Sequence, residues 1–392
     1  MPWSVPSLLE SRSMFCELVL VGGMSVSAAC RRFRISRKTG YKWLDRYRKK
    51  GDAGLVDRGR SPGSVPHRAP IEFEHLVCRY KRQYPYWGPR KLHRVIYEDR
   101  PELVRVGIST IARILKRYGL VTPREPAIVY PTVTRFERGK SNELWQMDLK
   151  AIRMPDGSKR YIAGILDDHS RFVLGLWWLP DLTDKSVLAC WIEAARRWGL
   201  PDQTLTDHGS QFRMVDGTTS AFRTHLWACG VQHVQGRVAH PQTQGKIERF
   251  WQTLNKELTP QLMQVSPESW ERLTAQWLHQ YNTRRPHESL GDNPPASRYR
   301  PSDRAYVEPD RDARIGSPDS VYRRVTPKGD IHMLGHRLMI GRGLAYWTVE
   351  ARPLGDGCWH IYFRNHLLKE FVLTKPRTKS VTHVPAQVLP MS

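Results

Sequence analysis

The chain has 392 residues, 40% of them hydrophobic and 26% charged, with 62 Lys+Arg against 38 Asp+Glu for a formal net charge of +24. That length exceeds one ordinary core and predicts several domains, the apolar content excludes a disordered chain, and the charge calls for a polyanionic partner. No apolar run approaches the ~20 residues of a bilayer span, the first twenty residues carry no signal-peptide pattern, and the six cysteines never stand at C-x-x-C spacing, so a reduced, cytoplasmic protein without structural zinc is expected. The basic excess is uneven: residues 1–140 hold 29 Lys+Arg and 12 Asp+Glu, a net +17. A Gly-Lys-Ser at 139–141 lacks the first glycine of a phosphate-cradling loop, because Thr134 stands in its place, which argues against ATP hydrolysis.

Residues 14–50 read as three short helices, broken at Gly22-Gly23 and near Arg34-Ile35, with Ser25 and Ser36 placed as caps. In ISRKTGYKWLDRYRKKG, Ile35, Trp43, Leu44 and Tyr47 can pack inward while Arg37, Lys38, Lys42 and Arg46 project outward. A helix-turn-helix recognition helix meets the major groove and its phosphates in this way. The plainer alternative is an amphipathic helix with a solvated basic face; the concentration of charge favours DNA. The domain is placed at 10–55 and a Pro-, Gly- and Arg-rich linker at 56–70.

Residues 71–121 predict three more helices, IEFEHLVCRYKRQYP, GPRKLHRVIYED and STIARILKRYGL, the last capped by Ser109. Ile111, Ile114, Leu115 and Tyr118 share one face of the last, with Arg113, Lys116 and Arg117 towards the other; Arg90 and Lys91 are further candidate DNA contacts. The block fits a second helix-turn-helix module or, nearly as well, a plain bundle that spaces two domains. A Pro-containing linker at 122–142 follows.

From 143 to 285 the texture is that of an α/β domain. LWQMDLKAI, RYIAGILDD and RFVLGLWWL read as three consecutive strands, followed by helices alternating with the short strands QTLTD and VQHVQG, which predicts a mixed sheet with helices on its faces. Residues 286–318 read as an extended linker, 319–374 as short strands forming a small β-barrel, and 375–392 as a flexible tail.

Three acids in this region carry the chemistry. Asp148 lies inside the first strand, where an ionised carboxylate is costly without a partner. Asp207 ends the strand QTLTD, at the kind of strand end where catalytic groups collect. On the helix GKIERFWQTLNKEL, a wheel of ~100° per residue puts Ile247, Phe250, Trp251, Leu254 and Leu258 on one face and Glu248, Gln252 and Asn255 on an adjoining polar one. Glu257 falls roughly opposite, so only Glu248 is expected to border the buried face. These hard oxygen donors suit Mg²⁺, and paired ions can drive phosphodiester displacement, with Lys246, Arg249 and Lys256 towards the phosphates. For each acid alone a structural salt bridge is the commoner explanation; the case rests on the three together.

WQMD, ILDDHSRFVLG, LTDHGSQF and HPQTQGKIERFWQTLNKEL, followed by YNTRRPHESLGDNPP, resemble the integrase catalytic core of bacterial insertion-sequence transposases, within the retroviral-integrase superfamily. The resemblance reaches forward through AACRRFRISRKTGYKWLDRYRKKGDAGLVDRGRSP and WGPRKLHRVI, and covers roughly residues 14–300. It implies a multidomain chain with N-terminal all-α helix-turn-helix modules and a central α/β ribonuclease-H-like core. Asp148, Asp207 and Glu248 would be its catalytic and metal-binding triad, with two Mg²⁺ ions that Mn²⁺ can replace. The implied activity is cleavage of DNA strands at element ends and transfer of the 3′-hydroxyl into target DNA. The implied partners are double-stranded DNA, as terminal repeats and as target, and further copies of the chain in a homodimer or larger assembly; the need for a helper protein stays open. A nuclease that cleaves without joining would share every catalytic residue, and a silent DNA-binding regulator would share the fold. Two departures stand out: His208 replaces the family's usual Asn, and the 40 residues between Asp207 and Glu248 exceed the usual spacing.

Overall fold

The computed structural model describes residues 7–57, 68–121, 137–154, 156–209, 211–212, 219–236, 245–316, 320–373 and 382–384. Most of the linkers expected at 56–70 and 122–142, and of the tail, lies outside them. The chain divides into two compact units, one ending at Pro70 and one beginning at Ile71. Among the described residues no helix is long and apolar enough to cross a membrane.

The first unit packs α1 (Leu8–Leu20), α2 (Val26–Arg32) and α3 (Arg37–Lys50) around Phe15, Cys16, Ala29, Cys30, Trp43, Leu44 and Leu55. Ser25 and Ser36 cap α2 and α3 through hydrogen bonds from the Ala28 and Thr39 N–H groups, as their positions predict. At the α2–α3 crossing, a Cβ on Gly40 would stand 2.5 Å from Cys30 Sγ, so this close approach requires glycine.

The second unit begins with α4 (Ile71–Gln83), α5 (Pro89–Asp99) and α6 (Ile108–Arg117). Ile111, Ile114 and Leu115 are buried. Ser109 is not the cap of α6: the helix starts one residue before it, with Gly107 at the cap and no side-chain cap bond.

The α/β domain follows. The strands β1 (Leu144–Arg153), β2 (Lys159–Asp167) and β3 (Val173–Leu179) form an antiparallel meander, and β4 (Gln203–Thr206) and β5 (Gln232–Gln235) continue the sheet parallel to β1, in the order β3-β2-β1-β4-β5. One face buries Trp145, Met147, Ala163 and Ile165 against α7 (Asp184–Trp198) and α8 (Ala221–Ala228). The other buries Ile152, Ile162 and Leu166 against α9 (Gly245–Glu257), the short α10 (Thr259–Leu262) and α11 (Trp270–Thr283). The two-residue period of a strand makes this division, and it sends Gln146 and Asp148 to the α9 side. The segment expected as an extended linker packs on this domain at its start: Tyr299 is buried, stacks on Phe172 and donates to Asn142 Oδ1.

The C-terminal strands are β6 (Val321–Arg324), β7 (Asp330–Met333), β8 (His336–Met339), β9 (Thr348–Gly355), β10 (Cys358–Phe363), β11 (His366–Val372) and β12 (Thr382–Val384). The expected barrel is not closed among the described residues. β12-β11-β10-β9-β6 is an open sheet, and β7-β8 pair only with each other. Val349, Ile361 and Phe363 of the sheet and Ile331 and Leu338 of the hairpin share one core, so packing across the gap does what strand pairing would do in a barrel. This module sits on α8, where Trp227 stacks on His366 at 4.1 Å.

Candidate active site

The register of β1 on β4 decides where the first two acids meet. Leu144 pairs with Gln203, Trp145 with Thr204 and Gln146 with Leu205. Carried two residues further, the same register sets Asp148 beside Asp207, which directly follows β4. Both are half-buried. Asp148 Oδ1 accepts the Leu149 N–H at 2.8 Å and Oδ2 accepts the Trp251 indole N–H at 2.8 Å. Burial raises the Asp148 pKa above the ordinary carboxylate value, and the charge of Asp207 raises it further, against the two hydrogen bonds. Asp207 Oδ1 accepts the Gly209 N–H at 2.9 Å, a turn that fixes the strand end.

Glu248 is exposed on the first turn of α9, three residues before Trp251. The structure thus brings Asp148 and Asp207 together and leaves Glu248 on the adjoining helix. Among the described residues no group of three His, Cys, Asp or Glu side chains stands at metal-holding distance.

Four positions depart from their expected roles. Lys246 is no free phosphate contact: its ammonium donates to the buried Asp168 carboxylate and, at 3.1 Å, to the Asp168 carbonyl, and burial lowers its pKa against that bond. Glu257 is the buried glutamate of α9, paired with Arg285 at 3.0 Å, because the chain after α11 covers the face that the wheel left to solvent. Arg117 is bound to the buried Glu74, and Arg90 holds Glu288 at 2.9 Å and Asp292 at 2.8 Å. The remaining candidates are placed as follows. Arg37, Lys38, Lys42, Lys116 and Arg249 are exposed. Arg113 is exposed as well and turns back on Thr110. Lys42 and Arg46 also lean on the Trp43 ring, at 4.5 and 5.0 Å. Lys91 lines a cavity beside α9.

Several supporting residues escaped the sequence reading. Asp168 accepts Gln146 Nε2 at 2.7 Å, the Arg138 N–H at 2.9 Å and Lys246, and Gln146 Oε1 accepts the Ile247 N–H at 3.3 Å. This network pins the start of α9 to β1. The Gln146 side was available from the strand period; the partner across 100 residues was not. Behind β4, Arg223 donates to His233 Nδ1 at 3.0 Å, His233 Nε2 lies 2.9 Å from Thr206 Oγ1, and Thr206 donates to the Asp207 carbonyl at 3.1 Å. The Arg223 bond fixes the neutral tautomer with its proton on Nε2.

Models of the "Integrase core domain" match residues 138–241 and 229–295, which span all three acids, and "Homeodomain-like domain" models match 16–56 and 39–115. The chain is 25% identical to the transposase for transposon Tn552 of Staphylococcus aureus over 62% of this chain and 54% of that one. It is 26% identical to a protein of insertion sequence element IS986/IS6110 of Mycobacterium tuberculosis, over 57% and 84%. Residues 138–295 thus carry an integrase core domain, and the chain is similar to transposases of mobile elements. It spans about half the length of its Tn552 relative. Among solved structures, the magnesium-bound HTLV-2 integrase catalytic core aligns with 41% of this chain and 99% of its own at 15% identity, with a TM-score of 0.35. The residues matched as integrase core are those of the α/β domain described above, and those matched as homeodomain-like precede it in the chain.

Proposed function

We propose that this chain binds the terminal inverted repeats of a mobile element, cleaves DNA strands at its ends and transfers the 3′-hydroxyl ends into target DNA. The observation that carries the reading is the β1–β4 register, which brings Asp148 and Asp207 side by side under α9. Two half-buried carboxylates repel each other, and a divalent cation between them relieves both charges. The donors are oxygens only, the set that Mg²⁺ prefers and Mn²⁺ accepts. Asp148, Asp207 and, from α9, Glu248 would hold two such ions, which supply Lewis-acid activation of the attacking and leaving oxygens.

The chain's own residues do the positioning. Leu149 and Trp251 orient Asp148, and the Asp168–Lys246 pair fixes the start of the helix that carries Glu248. In the N-terminal unit, Arg37, Lys38, Lys42 and Arg46 present charge to DNA phosphates, and processing two ends together calls for a homodimer or larger assembly on double-stranded DNA. The test is Mg²⁺-dependent joining of a pre-cut end oligonucleotide to a plasmid. Asp148→Asn and Glu248→Gln should abolish it, and a wild type that joins no better than Asp148→Asn sinks the reading. Cleaved strands without a joined branch would favour the nuclease.

A further inference from the structure

A cavity of about 740 Å³ lies between α5 and α6 on one side and α9 with the chain after α11 on the other. Arg90, Lys91, Arg249, Lys256 and Arg285 line it. Two of these cations are neutralised: Arg90 by Glu288 and Asp292, and Arg285 by Glu257. Those three acids are also in the wall. No ion pair among the described residues includes Lys91, Arg249 or Lys256. Lys91 is crowded as well, since burial, with Arg285 and Lys256 close by, pushes its pKa down to about 7, while Glu257 and Asp292 act in the opposite sense. Cations gathered in a cavity whose acids are already engaged favour an incoming anion.

The walls are held in place. Arg94 donates to Asn293 at 3.0 Å and Arg284 to Asp99 at 2.6 Å, which together with the Arg90 contacts tie α5 to the integrase core. Arg249 and Lys256 stand seven residues apart on α9, about 10 Å along its axis at 1.5 Å per residue. That is roughly three nucleotides of a strand at 3.4 Å each. Arg249 directly follows Glu248, so the cavity runs beside the third acid.

We infer that this cavity binds the phosphodiester backbone of a DNA strand, gripped jointly by Lys91 of the second helical module and by Arg249 and Lys256 of the helix that carries Glu248. The inference rests on the proposed function for the identity of the polyanion. It gives the second helical module a role in holding substrate at the core, where a plain spacer would have none.

The test is the salt dependence of duplex binding by the full chain, read by fluorescence anisotropy in EDTA. Each lost phosphate contact lowers the slope of log K against log[salt] by about 0.9. Arg249→Gln with Lys256→Gln, both at exposed positions, should lower it by about 2, and Lys91→Met by about 1, with the melting temperature unchanged. An unchanged slope in the folded double variant overturns the inference, and that variant carries the test if Lys91→Met fails to fold. Inorganic phosphate that stabilises wild type but not Lys91→Met, alongside an unchanged DNA slope, would assign the cavity to free phosphate and overturn it too. Joining measured on the same preparations separates the two readings. A chain that joins no ends yet loses slope keeps the cavity and drops the transposition reading, whereas joining with an unchanged slope drops the cavity alone.

Discussion

The indole N–H of Trp251 donates to Oδ2 of Asp148 at 2.8 Å, across the contact between α9 and β1. The ring gets there by lying over Gly164, the residue paired with Asp148 on β2; a Cβ at Gly164 would stand 2.8 Å from Trp251 Cη2. With the Leu149 N–H on Oδ1, both carboxylate oxygens are held by the fold, so the aim of Asp148 is set before any substrate arrives.

Trp251→Phe keeps most of the ring packing and removes the donor. A hydrogen bond to a charged group is worth about 1.5–3 kcal/mol, so strand joining should fall about tenfold or more while the melting temperature moves little. Steady-state joining rates beside thermal melts check this, and joining at the wild-type rate in Trp251→Phe would show that the bond does not aim Asp148.

Gly164→Ala should destabilise the integrase core by about 1–3 kcal/mol, the usual cost of overpacking, and push Trp251 off Asp148. Urea denaturation gives the first effect and joining the second. A variant of wild-type stability and activity would mean that the ring is not confined over Gly164.

Lys246→Met removes one partner of a nearly buried ion pair whose side chains are 14% and 5% exposed. Breaking such a pair costs about 3–5 kcal/mol; here the Gln146 and Arg138 donors remain on Asp168 and should hold the loss towards the lower end. Hydrogen exchange should show faster opening of the first turn of α9, and joining should drop because Glu248 sits in that turn. Protection equal to wild type would count against the anchoring role.

Stability should fall as pH drops below about 6.5. Burial, and for His233 also the Arg223 charge, depresses the pKa of His233 to about 3; burial takes His225 to about 4. The unfolded chain takes up protons near 6.5 that these folded histidines refuse, so at pH 5 each destabilises the fold by about 2 kcal/mol. The raised carboxylates Asp148 and Asp167 offset part of this, since the folded chain gains those protons first. Urea titrations at pH 7.5 and 5.0 should therefore show a smaller difference for His233→Gln than for wild type; an identical difference would exclude His233 as a source.

Much of the site was legible locally. Asp148 inside an apolar strand, Asp207 at a strand end and the stripe Ile247, Phe250, Trp251, Leu254 beside Glu248 are patterns of two- and 3.6-residue period, and the structure has those strands, that helix and that buried stripe. The capping serines of α2 and α3 were legible for the same reason, since a cap is a contact within three residues. Ser109 failed because a helix start can shift by two residues without changing the pattern that announces it.

The sequence by itself determined which segments are strands and helices and where the charge concentrates, because those properties depend on neighbours along the chain. The tertiary structure decided what depends on neighbours across it. The β1–β4 register set Asp148 beside Asp207, Asp168 took Lys246 from the phosphates, Arg285 buried Glu257, and an open sheet stood where a barrel was expected. A helical wheel gives the angle between Glu248 and Glu257 but not what packs on either face. That is fixed only when segments distant in sequence compete for the same surface, and the charge that finds a buried partner is lost to the substrate.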